Sequence, residues 1–312
     1  MGGASLSISL VIPTLDPGRG LGPLLHRLKG QGRTPLEILV LDSGSQDGAR
    51  QTVGQFAEAR LIEVVTPPGP ASWNRGCQEA LGEVVVFLGQ DTLPLNGDWL
   101  SHLVAPFEDP AVAGVYGRQL ASPSSDALSN FRLAQRFCSQ AHWRRLRVGD
   151  PIRYKSLPFF LENAAVRQSV WQGIHFNEHL PVGADRVWAR QAVLASYTVA
   201  YSPDAGVTRE LRSGLKQAFL LGRMTGYADR QLGGAGGSIW PDSRQFPKRA
   251  AWFLTRGFAW GQLPYLAMED AAHRYGYQFG RRASRPIPAL ENGQNSTLWP
   301  DKPGADQFKR AA

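Results

Sequence analysis

Short apolar runs and helix-spaced stretches alternate along the opening third of the chain. Leu6-Ser-Ile-Ser-Leu-Val-Ile12 reads as a strand, stopped by Pro13 and a Gly-rich loop, and residues 21–28 carry apolar side chains at helical spacing. Residues 36–41 predict a second strand, ended by Asp42-Ser-Gly-Ser-Gln-Asp-Gly48, with a helix to about residue 59 and a third strand over 61–65. Pro70 opens a helix to about residue 81, a position where its missing N–H costs nothing. Residues 84–88 are wholly apolar, as expected of a strand covered on both faces. This order predicts an α/β fold with a Rossmann-like, mostly parallel central sheet and flanking helices. Ligands of such sheets bind at the carboxyl ends of the strands, so the loops after Ile12, Leu41 and Leu88 should share one rim.

From about residue 111 the rhythm changes. Strands are predicted over 112–116, 157–161 and 197–201, and helices over 127–146, 185–195, 215–231 and roughly 249–275. A Gly-rich stretch at 233–237 separates the last two helices, and the final thirty residues are rich in Pro, Asn and Gly and predict a loose tail.

Charge sharpens this division. The chain of 312 residues has a net charge of +8, yet residues 1–210 hold 19 basic and 19 acidic side chains, while 211–312 hold 15 and 7. The sequence thus predicts a neutral body over 1–210 and a basic, aromatic-rich helical extension over 211–312 that faces something anionic. At 43% hydrophobic and 19% charged residues the chain is neither disordered nor collagen-like. Two cysteines without close spacing predict a reduced, cytoplasmic setting, and the first residues read as a strand rather than a secretory leader. The longest apolar stretch, 250–268, is interrupted by Arg256, Gln262 and Pro264, which argues against a membrane-spanning helix.

Three aspartates stand out. Asp42 ends a strand among small residues, where it can accept hydrogen bonds from a base or ribose; an ordinary turn explains the same pattern. Asp91, in Gly89-Gln-Asp-Thr92, ends the most buried strand and suits a divalent cation on a diphosphate. Asp185 opens a helix, either as a dipole partner or as a general base. Arg118 ends another strand and can hold a phosphate or sugar oxygen through its fork. Other chemistries lack their signatures. There is no G-x-x-x-x-G-K-[ST] loop, no G-x-G-x-x-G after the first strand, no H-E-x-x-H among the six histidines and no G-x-S-x-G elbow.

Together, Ser9-Leu-Val-Ile-Pro-Thr14, the segment from Glu37 to Gly48 and that from Ala80 to Pro94 resemble the family 2 glycosyltransferases of GT-A fold. Gln90-Asp91, Val115-Tyr-Gly-Arg-Gln-Leu120, Tyr154-Lys-Ser156 ahead of Asn163-Ala-Ala-Val-Arg167, and Asp185-Arg-Val-Trp-Ala189 resemble the bacterial rhamnosyltransferases of surface-polysaccharide assembly within that family. The resemblance covers roughly residues 7–227. It implies an inverting sugar transfer from a nucleotide-sugar, with dTDP-L-rhamnose favoured and a UDP-sugar as the other donor, to a saccharide or lipid-linked acceptor. Pro13, Thr14, Asp42, Ser43, Asn74, Gln90, Asp91, Arg118 and Arg209 would line the donor site. Asp91 would hold Mg²⁺ or Mn²⁺, and Asp185 would deprotonate the acceptor.

The chain departs from the family pattern at three positions. Trp73 replaces the Arg before Asn74, Ala184 replaces the Glu before Asp185, and Arg209 stands where a metal-ligand His is expected. Arg209 would then give fixed positive charge to the diphosphate in partial replacement of the cation. The basic third, with Trp240, Trp252, Phe253, Phe258, Trp260 and Tyr265, suits peripheral contact with an anionic membrane, while core packing explains most of the same aromatics. Two other readings compete: a catalytically weakened nucleotide-sugar-binding partner subunit, and a nucleic-acid-binding protein that uses the basic third, which the resemblance disfavours.

Overall fold

A computed structural model describes residues 6–137, 158–210, 214–232, 251 and 263–283 of the chain. The opening third folds as its apolar pattern predicts. Strands β1 (Ile8–Thr14), β2 (Glu37–Asp42), β3 (Ala59–Glu63) and β4 (Val84–Leu88) alternate with helices α1 (Leu21–Lys29), α2 (Ala49–Val53) and α3 (Pro70–Glu79). Every position of β1 and β4 is buried, because helices cover both faces of the sheet. Helix α1 buries Leu21, Leu24, Leu25 and Leu28, the stripe that 3.6-residue spacing creates. Helix α3 lies so close to the sheet that a Cβ on Gly76 would stand 2.6 Å from Val11 Cγ1. These strands pair in parallel in the order β3-β2-β1-β4, which sets Thr14 beside Asp42 in register.

Beyond β4 come β5 (Thr92–Pro94), α4 (Trp99–Val104), β6 (Val112–Ala121), α5 (Ala127–Arg136), β7 (Asn163–Arg167), α6 (Gln168–Gly173), α7 (Ala184–Leu194) and β8 (Thr198–Arg209). They extend the sheet as β4-β7-β6-β8-β5. Strand β7 runs antiparallel to both β4 and β6, β6 and β8 are parallel, and β5 is antiparallel to β8. The sheet is therefore parallel on the side of β1 and mixed on the other.

Several sequence boundaries shift here. Of the strand predicted over 157–161, residues 158–160 are irregular chain and Leu161 begins a turn, and the strand is Asn163–Arg167 instead. Phe159 and Leu161 are buried from this loop, so their apolarity reflects core contact rather than strand pairing. Strand β8 continues past Tyr201 to Arg209 through Ser202-Pro-Asp204, where its register with β6 slips at a bulge. Helix α2 is only five residues, ended at Gly54. The short β5 and α4 carry too few residues for a periodic signal.

Past β8, helices α8 (Leu215–Gln231) and α9 (Leu263–Arg282) pack against each other. Each carries a G-x-x-x-G step, Gly222 with Gly226 and Gly276 with Gly280. A Cβ added at Gly222, Gly226, Gly276 or Gly280 would fall 2.0, 2.1, 2.0 and 1.9 Å from the carbonyl oxygens of His273, Tyr277, Phe219 and Arg223. Contact numbers rise together on both helices, so they run parallel with their backbones touching. Helix α8 joins the body through Ala228, which packs with Leu180, Ala184 and Val187. Helix α9 extends beyond the predicted end at Tyr275; residues 138–157, with Tyr154-Lys-Ser156, and the Gly-rich stretch and tail lie outside the described residues.

Candidate active site

The carboxyl ends of β1, β2 and β4 meet on one rim, where side chains lace the loops together. Thr14 is buried and donates from Oγ1 to the Leu41 carbonyl at 3.2 Å, while the Ser43 N–H bonds the Thr14 carbonyl at 2.9 Å. Asp42 is 5% exposed, and its Oδ1 accepts from the Ser45 N–H and hydroxyl. Ser43 Oγ donates to the Thr66 carbonyl at 2.8 Å. Gly44 and Gly48 take positive φ angles of 95° and 88°, which lets this loop turn back within six residues of β2. Gln90 fastens the loop after β4 to that after β1: its Oε1 accepts from the Leu15 N–H at 2.8 Å and its Nε2 donates to the Leu15 carbonyl at 3.0 Å. Pro13 is buried behind this clasp.

Asp91 follows directly. Its Oδ2 accepts from Arg209 Nε at 2.8 Å, while its Oδ1 is buried without a partner among the described residues. Arg209 arrives from the far end of β8, opposite Thr92 of β5. Its Nη1 lies 3.3 Å from Glu162 Oε1 and donates to Gln119 Oε1 at 3.4 Å. Burial works against the Arg209 charge, but Asp91 and Glu162 outweigh it and hold the guanidinium protonated. Burial likewise raises Glu162, yet Arg209 prevails and leaves its carboxyl below the usual range, hence ionised. Glu162 escaped the sequence reading because it closes an apolar run taken for a strand; a lone acid in Phe160-Leu-Glu-Asn163 was the available signal.

Asn163, opposite Leu88 at the start of β7, holds this cluster in place. It is fully buried and donates from Nδ2 to the carbonyls of Arg118 and Ala205 at 3.1 and 2.9 Å, while Oδ1 accepts from Trp99 Nε1 at 3.0 Å. Arg118 Nε and Gln119 Nε2 are buried donors without a partner among the described residues, the kind of group that demands a reason. Asn74 sits on α3 with its amide fully engaged: Nδ2 donates to the Phe176 carbonyl and Glu178, and Oδ1 accepts from Trp171 Nε1 and the Phe176 N–H. It pins the 174–178 loop to α3.

Asp185 opens α7 and is 7% exposed. Burial pushes its carboxyl up to about 6, with Glu162 adding to the rise, while Arg186 and the N–H groups of Arg186 and Leu161 pull the other way. Near neutral pH it is mostly ionised and still basic enough to accept a proton, the balance a general base needs. Gly183, at φ 80°, sets the entry angle of the helix.

A protein-held divalent cation does not fit these residues. The Asp91 carboxylate is already bonded to a guanidinium, Glu162 shares that guanidinium, and no group of three or more His, Cys, Asp or Glu among the described residues is arranged to ligate a metal. A cation placed against Asp91 would meet Arg209 at close range. The Mg²⁺ or Mn²⁺ expected through Asp91 therefore enters no step below.

The mixed sheet, the laced loops on its rim and the buried carboxylate facing them define a glycosyltransferase of GT-A fold. Residues 9–169, just over half the chain, match the family model described as Glycosyl transferase family 2, and the chain belongs to that family. It is 28% identical over 295 residues to the O-antigen chain rhamnosyltransferase RfbN of Salmonella typhimurium, covering 88% of this chain and 90% of that one. It is 26% identical over 206 residues to the glycosyltransferase AglE of Haloferax volcanii, covering 63% of this chain and 64% of that one. Among solved structures, it resembles the mannosyltransferase PcManGT of Pyrobaculum calidifontis in complex with GDP-Man and Mn²⁺, with a TM-score of 0.57, 18% identity and coverage of 89% and 84%. S. aureus TarS 1–349 in complex with UDP-GlcNAc gives a TM-score of 0.55 at 15% identity, with coverage of 89% and 91%. At such identities the structural likeness speaks to fold.

Proposed function

We propose that the protein transfers L-rhamnose, with inversion, from dTDP-L-rhamnose to a saccharide or lipid-linked acceptor in surface-polysaccharide assembly. The observation that carries the transfer chemistry is Asp185, a buried and unusually basic carboxylate at a helix start that feels the like charge of Glu162, the residue Arg209 pairs with alongside Asp91. The likeness to O-antigen rhamnosyltransferases supports the sugar and the setting. A UDP-sugar is the alternative donor.

Asp42 takes the nucleoside, with Pro13, Thr14 and Ser43 shaping its seat and Gln90 holding the two loops at a fixed distance. Arg118 and Arg209 face the diphosphate, and Asp91 orients Arg209. The acceptor hydroxyl passes its proton to Asp185 as its oxygen bonds the anomeric carbon. The bond from that carbon to the diphosphate breaks on the opposite face, and the electron pair leaves on a diphosphate oxygen. The guanidinium charge offsets the charge that grows there. The partition into a transferase body over 1–210 and an extension over 211–312 assigns the second part to placement. No helix among the described residues is long and apolar enough to cross a membrane, and α9 exposes Tyr265, Met268, Tyr275 and Phe279 beside basic Arg274, Arg281 and Arg282. This composition supports contact with an anionic lipid surface.

A screen of purified protein against dTDP- and UDP-sugars, reading nucleotide release and binding, tests the donor. dTDP-L-rhamnose is expected to bind and to be consumed when an acceptor is present. Binding without turnover on any acceptor would favour the weakened partner subunit, and no response to any nucleotide-sugar would overturn the proposal. Liposome flotation against oligonucleotide binding, across a salt series, separates lipid from nucleic acid.

A further inference from the structure

Glu162 lies between Arg209 and Asp185 and has no part in the roles above. Arg209 carries one positive charge yet serves two carboxylates, with Nε on Asp91 at 2.8 Å and Nη1 3.3 Å from Glu162. Glu162 follows Leu161, whose N–H bonds the Asp185 carboxylate. The charged groups facing Asp185 are thus Arg186 from its own helix, 4.0 Å away, and Glu162 from the segment ahead of β7. Charges alternate along the line Asp91, Arg209, Glu162 and then meet a like charge at Asp185.

A single guanidinium cannot fully offset two carboxylates and a diphosphate at once. The diphosphate carries at least two negative charges and bonds a guanidinium fork more strongly than one carboxylate oxygen at 3.3 Å does. Its arrival draws Arg209 away from Glu162. The less screened Glu162 then acts more strongly on its like-charged neighbour across a poorly solvated gap. We propose that Glu162 is a positioning residue that couples the two substrates: it registers how far Arg209 is engaged by a donor diphosphate and makes Asp185 the stronger base when a leaving group is in place. The coupling rests on the proposed roles of Asp185 and Arg209. It gives the enzyme a base that is muted in the empty site and strengthened in the loaded one.

The test follows the Asp185 carboxyl carbon by NMR in protein labelled with ¹³C-aspartate, the signal assigned by its loss in Asp185→Asn, and titrates it with and without dTDP. In the wild type, dTDP is expected to raise the midpoint by about half a pH unit or more, roughly threefold in proton affinity. In Glu162→Gln the midpoint of the free protein should be lower and the rise on dTDP cut by at least half, the remainder being the direct effect of the diphosphate. Glu162→Asp should restore the wild-type response. Arg209→Lys, whose ammonium cannot bridge both carboxylates, gives a second route if Glu162→Gln folds poorly; its free midpoint should lie higher and its dTDP response be smaller. A purely structural Glu162 would change stability and dTDP affinity but leave the response to dTDP intact. Equal rises in wild type and Glu162→Gln, or no rise in dTDP-bound wild type, would overturn the coupling. Failure of dTDP and UDP to bind would remove the donor site and the coupling with it. Full sugar transfer by Asp185→Asn would remove the base and the coupling, whatever the titration gives.

Discussion

Asp91 and Asp185 are both largely withdrawn from water, yet they sit in opposite electrostatic company. Asp91 is clamped by a guanidinium that was drawn from the far end of the sheet, whereas Asp185 has the Arg186 guanidinium at 4.0 Å and the N–H groups of Arg186 and Leu161 to set against burial and Glu162. The difference separates two kinds of carboxylate. One is stabilised by its partner and is passive toward protons; the other is held at a cost and is reactive because of it. Site chemistry follows from the partner, not from burial alone.

Removing the reactive carboxylate should give the largest effect. Asp185→Asn is expected to lower kcat by about a thousandfold, in the range for a lost general base, with nucleotide affinity kept. The same change should stabilise the fold. Asp185 moves from an ordinary value of 3.8 to about 6 in the folded chain, so folding binds its proton more tightly. Its contribution therefore grows as pH falls from about 6 toward 4 and is lost above, where the buried charge costs stability. At pH 7 Asp185→Asn should gain about 2 kcal/mol in urea denaturation, and wild-type kcat/KM should fall tenfold per unit below pH 6. A variant that is both inactive and less stable would break the contrast.

Arg209→Ala should do the reverse. It leaves Asp91 and Glu162 facing each other without a cation, and the expected loss is about 3 kcal/mol in stability together with about a hundredfold in kcat/KM. Gln90→Ala removes both bonds to the Leu15 backbone, so it should cost about 1–2 kcal/mol and raise the donor KM severalfold at nearly constant kcat. Chelation should have the smallest effect. Because Arg209 already neutralises Asp91, activity in excess EDTA is expected to stay within about twofold of that in Mn²⁺, and Arg209→His should make transfer more dependent on the ion. Complete loss in EDTA would show that a cation is needed despite the ion pair.

Asp42 and Asp91 were legible in the sequence for a local reason. Each ends an uninterrupted apolar run at a Gly- or Ser-containing turn, and parallel strands deliver such turns to one rim. The mixed half of the sheet offered no such rule. Strand β7 was misplaced because Phe159 and Leu161 are as buried in a loop as strand residues are, and with it Glu162 was passed over. The reach of β8 to Arg209 was hidden by Ser202-Pro-Asp204, polar residues that a bulge absorbs without ending the strand. Arg209 stands out only because the resembled family has a metal-ligand His there, and its ion pair with Asp91, 118 residues apart, is a tertiary fact that no local pattern encodes. Asn163 was noted as part of a motif, while its three-way anchorage of β6, β8 and α4 emerges only when those elements are assembled.

The four glycines between α8 and α9 make that pair a ratchet with a single tooth spacing. Sliding either helix by one residue would drive a neighbouring side chain such as Arg223 or Tyr277 into the opposing backbone, so the pair has one seated position and no graded alternatives. Mutational tolerance should therefore be inverted relative to the rest of the molecule. The smallest possible enlargement, a methyl group, is already enough to force the two backbones apart there.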